Sequence, residues 1–159
     1  MLSTSRHTAQ VIAAFMVVAV IAPAANAAPL RDACSLLTAE QVGAALGIPV
    51  GSGTYVAPTF KKTCSWNATT DGGGTVTLNL QGLEQYESGK KLAAVGKSVS
   101  ATPVSGVGDE AYYFGTDKLV SLIVKKGNSA FKIAVYARIP LEKQQAAERD
   151  LALQIVPLL

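Results

Sequence analysis

Between Leu119 and Ala137 apolar and polar positions alternate. Val120, Leu122 and Val124 fall on one side of the chain, and after Gly127-Asn128 the set Phe131, Ile133, Val135 and Ala137 repeats the pattern. A period of two marks strands that turn one face to a core. Gly127 at the first central position suits the mirror-image turns that match strand twist. Residues 111–114 read as a further strand, divided from 119–126 by a turn at Thr116-Asp117. The stretch therefore predicts a three-stranded antiparallel meander. A second alternating pair lies upstream. Cys64, Trp66 and Ala68 alternate with Thr63, Ser65 and Asn67, and Val76, Leu78 and Leu80 alternate with Thr75, Thr77 and Asn79. Asp71-Gly72-Gly73-Gly74 between them predicts a hairpin. Residues 50–57 are ambiguous, with Tyr55 and Val56 marking a short or irregular strand.

Helical spacing occurs three times. In residues 36–47 Thr38 is placed as the N-cap, Gln41 completes a capping box, and Leu37 and Val42 are spaced as a hydrophobic staple. Gly47 ends this helix, with Pro49 beyond it. Val42, Ala45 and Leu46 supply its apolar face. Residues 83–95 make a weaker helix, interrupted by Gly89 and ended by Gly96. Residues 98–107, rich in Ser, Pro and Gly, read as a loop. Pro140 stands at a first helical position. Residues 141–158 then form the longest helix, with Leu141, Gln144, Ala147, Leu151, Ile155 and Leu158 on its apolar side. This order predicts an α+β fold: an antiparallel sheet (hairpin plus three-stranded meander) with helices packed on one face.

The first residues follow neither pattern. Residues 11–22 are an unbroken apolar run, the length of a signal-peptide core and short for a membrane span. Pro23 breaks it, and Ala25-Asn26-Ala27 presents the small residues that signal peptidase reads. The reading is a signal peptide over 1–27 and one exported domain over 28–159, periplasmic or secreted, with no membrane span after cleavage. An uncleaved anchor is the alternative. No cysteine ends the apolar run, so lipid attachment is not expected. Two cysteines in an exported chain predict a Cys34–Cys64 disulfide, against the alternative of two buried thiols. Closing a loop of 30 residues stabilises a fold by about 3–4 kcal/mol on the chain-entropy account.

Chemistry is mostly excluded. The one histidine is His7, inside the leader. The exported part thus lacks the base of a Ser-His-Asp or Cys-His site and the imidazole of the common zinc sites. Neither metal nor cofactor is expected. A net charge of +3 is too weak to argue for nucleic acid or an anionic membrane. Lys61-Lys62, Lys90-Lys91 and Lys125-Lys126 read as solvated edges. Gly106-Val107-Gly108 precedes a strand and is no dinucleotide fingerprint, and Gly72-Gly73-Gly74 lacks the Lys-Ser/Thr of a phosphate loop.

Two candidates for a site remain. Asp109-Glu110 either supplies an acid or a cation ligand, or Asp109 caps the turn at Gly108 through a backbone N–H. Neighbours on a strand point to opposite faces, which is poor geometry for shared acid–base work. For the same reason Tyr112 and Tyr113 must split. One ring packs in the core and the other lies on the open face beside Tyr136, a tyrosine surface suited to a protein or ligand, unless the C-terminal helix covers that face.

Three short elements carry a resemblance. Asp32-Ala33-Cys34-Ser35-Leu36-Leu37-Thr38, Cys64-Ser65-Trp66 and Gly106-Val107-Gly108-Asp109-Glu110-Ala111-Tyr112 occur in that order. With Val42 and Leu46-Gly47 they resemble a group of small exported bacterial domains of unknown function, abundant among actinobacterial secreted proteins and lipoproteins. The leader departs from the lipoprotein members, since it lacks the lipidation cysteine. The resemblance implies an exported α+β domain with a Cys34–Cys64 bridge and supplies no catalytic residues. The functional expectation is a non-enzymatic binding or interaction domain whose partner is a protein or a small envelope ligand. Its rivals are an inhibitor of a secreted hydrolase, presenting an ordered loop at 98–108 or 71–74, and a small hydrolase using Asp109 or Glu110.

Overall fold

A computed structural model describes residues 32–96 and 98–159. The expected leader, its cleavage point and the first residues after it lie outside the described residues. Helix α1 spans Ala39–Leu46. Thr38 Oγ1 accepts from the Gln41 N–H at 3.2 Å, and Gln41 Oε1 accepts from the Thr38 N–H at 2.8 Å, so two orphan donors are satisfied reciprocally. Gly47 ends the helix in the left-handed conformation.

Seven strands form one antiparallel sheet with three helices. They are β1 (Thr54–Ala57), β2 (Phe60–Asn67), β3 (Thr75–Gln81), β4 (Ser100–Val104), β5 (Glu110–Gly115), β6 (Val120–Lys126) and β7 (Ser129–Tyr136). The order across the sheet is β1-β2-β3-β7-β6-β5-β4. Helix α2 (Leu83–Val95) links β3 to β4, and α3 (Leu141–Ile155) follows β7.

Strand pairing sorts the side chains onto two faces. Ala111 lies opposite Val124, Tyr113 opposite Leu122, and Leu122 opposite Ile133. Val76, Leu78, Cys64 and Trp66 continue that face across β3 and β2. It forms the main core with Val42 of α1 and Leu151 and Ile155 of α3. Tyr112, Ile123 and Ala130 alternate with these positions and form a second, smaller cluster with Tyr86 of α2. Helices therefore do not all pack on one face. The reason is visible in β6, where Val120, Ser121, Leu122, Ile123 and Val124 are all buried, which takes cover on both sides.

Other expectations need correction. The stretch 98–107 is not a loop throughout, because β4 occupies its middle. Pro103 is tolerated there because β4 is an edge strand, where a missing N–H can face outward. β2 begins at Phe60, three residues ahead of its alternating part, whereas β1 is the short, irregular strand expected, with a register shift between Tyr55 and Ala57. Gly89 does not interrupt α2. A Cβ there would lie 3.0 Å from the Tyr112 hydroxyl, so the glycine lets the helix settle onto β5. The last helix stops at Ile155, and Leu158 is exposed in a 3₁₀ turn, since Pro157 removes a donor.

The Cys34–Cys64 disulfide joins the 3₁₀ turn Ala33–Ser35 to the middle of β2, with Cα atoms 5.0 Å apart. Trp66, two residues along the same face, is 1% exposed. A Cβ on Gly53 would stand 2.7 Å from Cys64 Sγ and 2.8 Å from the Trp66 ring. The bare backbone at Gly53 is what leaves room for sulfur and indole together. Native Trp66 emission is expected to be blue-shifted, to resist acrylamide and to move red on unfolding. In urea titrations Trp66→Ala should cost about 3–5 kcal/mol and Gly53→Ala about 1–3 kcal/mol. Emission typical of water-exposed indole in the native protein would contradict this packing.

Candidate functional site

Residues 105–109 join β4 to β5. Gly106 and Gly108 have φ of 76° and 61°, left-handed values that favour glycine. At Gly108 a Cβ would also stand 2.5 Å from the Lys125 carbonyl oxygen, so the turn lies tight against the end of β6. Val107 is buried in the main core and holds the turn down. Arg149 of α3 donates from Nη1 to the Ser105 carbonyl at 2.9 Å. Between this turn, the edge of β4 and Lys90 of α2 lies a cleft of about 430 Å³. Ala101, Pro103 and Val104 form its apolar wall, and Asp109, Glu110, Ala111 and Tyr112 also line it.

The two carboxylates face different partners. Asp109 Oδ1 accepts from Lys126 Nζ and Oδ2 from the Gly127 N–H, both at 2.7 Å. Asp109 therefore ties down the β6–β7 turn, a backbone-capping role at a turn remote in sequence rather than at Gly108. The Lys126 ammonium, then the Gly127 N–H, hold its carboxyl below the ordinary value. Glu110 pairs with Lys90 across the cleft. That contact lowers the Glu110 pKa and raises that of Lys90. Both carboxyls are thus ionised at neutral pH and hold no proton to donate. Exposed pairs of this kind add little stability. Their effect is to fix the positions of the turn and of α2 around the cleft.

The tyrosines do not gather. Tyr112 is buried under α2. Its hydroxyl donates to the Tyr86 carbonyl at 3.2 Å, and its ring meets Tyr86 edge-on with centroids 5.4 Å apart. Tyr113 lies under α3 and donates to the Gln145 carbonyl at 2.8 Å. Burial pushes its hydroxyl up to about 12. Tyr136 sits at the far end of β7, beyond α2, and is 42% exposed. The expected surface of Tyr112 or Tyr113 beside Tyr136 is absent because both faces of β5 are covered.

One buried acid was not picked out from the sequence. Glu148 of α3 is fully buried, and its Oε1 accepts from the Val135 N–H at 2.9 Å. The rungs pairing β6 with β7 end at Leu122 and Ile133, so this carboxyl serves a backbone donor just past them. Its Oε2 has no protein partner. Burial raises the Glu148 pKa to about 8, against the pull of the Val135 N–H and of the Leu122 N–H that faces it. The signal was its spacing, four residues after Gln144 and three before Leu151, both buried. Gln144 does similar work, with Nε2 donating to the Ala137 and Ile139 carbonyls at 3.2 and 2.9 Å.

Among the described residues no three His, Cys, Asp or Glu side chains gather to hold a metal ion, and no helix is long and apolar enough to cross a membrane. No protein-family model, curated protein or solved structure matches the chain.

Glu148 makes stability depend on pH with a definite sign. Its carboxyl is raised on folding from an ordinary 4.5 to about 8. Between those values the folded chain keeps a proton that the unfolded chain has released, so stability falls as pH climbs through that window. Urea titrations at pH 5, 6.5 and 8 should show a loss of up to about 1.4 kcal/mol per pH unit. Glu148→Gln, a neutral side chain of the same shape, should remove that slope. Parallel pH curves for the two proteins would show that Glu148 does not carry it.

Proposed function

We propose that the chain is a non-enzymatic exported domain that binds a protein or small ligand of the bacterial envelope or secretome in the cleft beside β4. The observation that carries this reading is the cleft itself. It joins an apolar wall to a glycine-bearing turn with exposed backbone groups, and its carboxylates are neutralised by Lys90 and Lys126. A concave, mostly apolar site with a few placed polar groups is the usual form of a small-ligand pocket. The disulfide is consistent with an oxidising, exported location. The resemblance of the Cys34, Cys64-Ser65-Trp66 and Gly106–Tyr112 elements to small exported actinobacterial domains supports the same placement.

The rival readings fare less well on specific grounds. A carboxylate-dependent hydrolase requires a proton on one acid, and the ion pairs at Asp109 and Glu110 favour the ionised forms of both. An inhibitor requires a protruding ordered loop. Residues 98–108 contain β4 and are held by Val107 and Arg149, which leaves the turn at 71–74 as the remaining candidate.

Native mass spectrometry of the protein purified from its own envelope tests the binding reading. A bound mass is expected, and Ser105→Trp, which fills the cleft from an exposed turn, should abolish it without lowering the melting temperature. The Asp109→Asn/Glu110→Gln double variant should show no lost turnover on fluorogenic ester, peptide and glycoside substrates. Turnover by the natural protein that this variant abolishes at unchanged melting would establish the hydrolase instead.

A further inference from the structure

Helix α2 packs over β4, β6 and β7 and leaves the same face of β2 and β3 uncovered by any helix of the described residues. That face carries Thr63, Ser65 and Asn67 from β2 and Thr75, Thr77 and Asn79 from β3. The pairs stand in register as three rungs. Thr75 Oγ1 donates to Asn67 Oδ1 at 2.8 Å, and Asn79 Nδ2 donates to Thr63 Oγ1 at 2.6 Å. The middle rung, Ser65 opposite Thr77, has no side-chain hydrogen bond among the described residues. Tyr136 lies directly opposite Thr75 on the next strand and shares this face, with its ring substantially exposed.

We propose that this face, centred on Ser65 and Thr77 and bordered by Tyr136, binds a neutral glycan. The chemistry of the surface selects that class. Its six rung residues are uncharged, so they offer nothing to a polyanion or polycation, and the one charge in register is Lys132 at the Asn79 end. None of the six rung residues carries a purely aliphatic side chain, and the nearest exposed aliphatic group, Val56 of β1, lies at the border of the face. The face presents hydroxyls and amides whose outer rungs are fixed by their own hydrogen bonds, while the middle hydroxyls remain available. A sugar ring offers matching hydroxyls at its edge and C–H groups on its flat side, and an exposed tyrosine ring gives the C–H side an apolar platform with a polar tip. The rungs repeat along the strands and their members sit about 4.8 Å apart across them, a scale on which one pyranose unit spans neighbouring groups. The surface is separate from the cleft beside β4, so neither depends on the other.

Titration of the ¹⁵N-labelled protein with maltohexaose, cellohexaose, chitohexaose and mannohexaose tests the assignment, with a galacturonate oligomer as the anionic control. At least one neutral probe should give saturable amide shifts gathered at Ser65, Thr77 and Tyr136. Tyr136→Ala should weaken that binding about tenfold. Thr77→Val, which removes the hydroxyl at equal shape, should weaken it several-fold, both variants keeping the natural melting temperature. Four outcomes would overturn the proposal: no saturation by any neutral probe, binding of the galacturonate alone, unchanged affinity in both variants, or shifts gathered at Gly106 and Lys90. The last would place the sugar in the cleft and would favour the cleft reading while excluding this surface.

Discussion

The pairing of β3 with β7 is the constraint on which the rest depends. Seven rungs run from Thr75 opposite Tyr136 to Gln81 opposite Ala130. They join the cysteine-bearing hairpin to strands that follow it by some fifty residues. Val76 with Val135, Leu78 with Ile133 and Leu80 with Phe131 place six buried side chains on one face of this seam. Each contributes about 1.5–3 kcal/mol relative to exposure, which offsets the entropy of closing so long a loop. Everything between, from α2 through β6, is an excursion whose two ends the seam holds together. The disulfide and Trp66 brace one side of it, and α3 closes over the other.

How much of this was legible in the sequence follows from where each signal resides. α1 was readable because Thr38, Gln41 and Gly47 act within one another's reach. β3 was readable because its alternation is local. β4 was not, since at a sheet edge half the backbone needs no partner, and a Ser, Thr and Pro composition then looks like a loop. The covering of both sheet faces was hidden for a different reason. Ile123 and Ser121 between Val120, Leu122 and Val124 leave a run that reads as one buried face or two, and only the placement of α2 decides. Gly89 looked like a helix breaker because its reason, the Tyr112 hydroxyl, lies on another element.

The candidate site divides along the same line. The tight turn at Gly108 and the splitting of Tyr112 from Tyr113 follow from local rules. The partners do not: Asp109 meets Gly127 and Lys126, Glu110 meets Lys90, and Arg149 reaches Ser105, all across long stretches of chain. These contacts turn a pair of acids into posts of a cleft. Glu148 was passed over because a charged residue in an apolar stripe is ordinarily placed on the solvent side. The cleft at one edge of the sheet and the hydroxyl face near the other both take their geometry from a sheet that must be continuous across the β3–β7 seam.

Native-state hydrogen exchange tests that continuity most directly. If the seam is the frame, the amides that link β3 and β7 exchange only through global unfolding. Those of β2 and β6 should then follow them with the same dependence on denaturant. If the β2–β3 hairpin opens in low denaturant while β5, β6 and β7 stay protected, the halves are independent units and the account of one seam-built sheet is wrong.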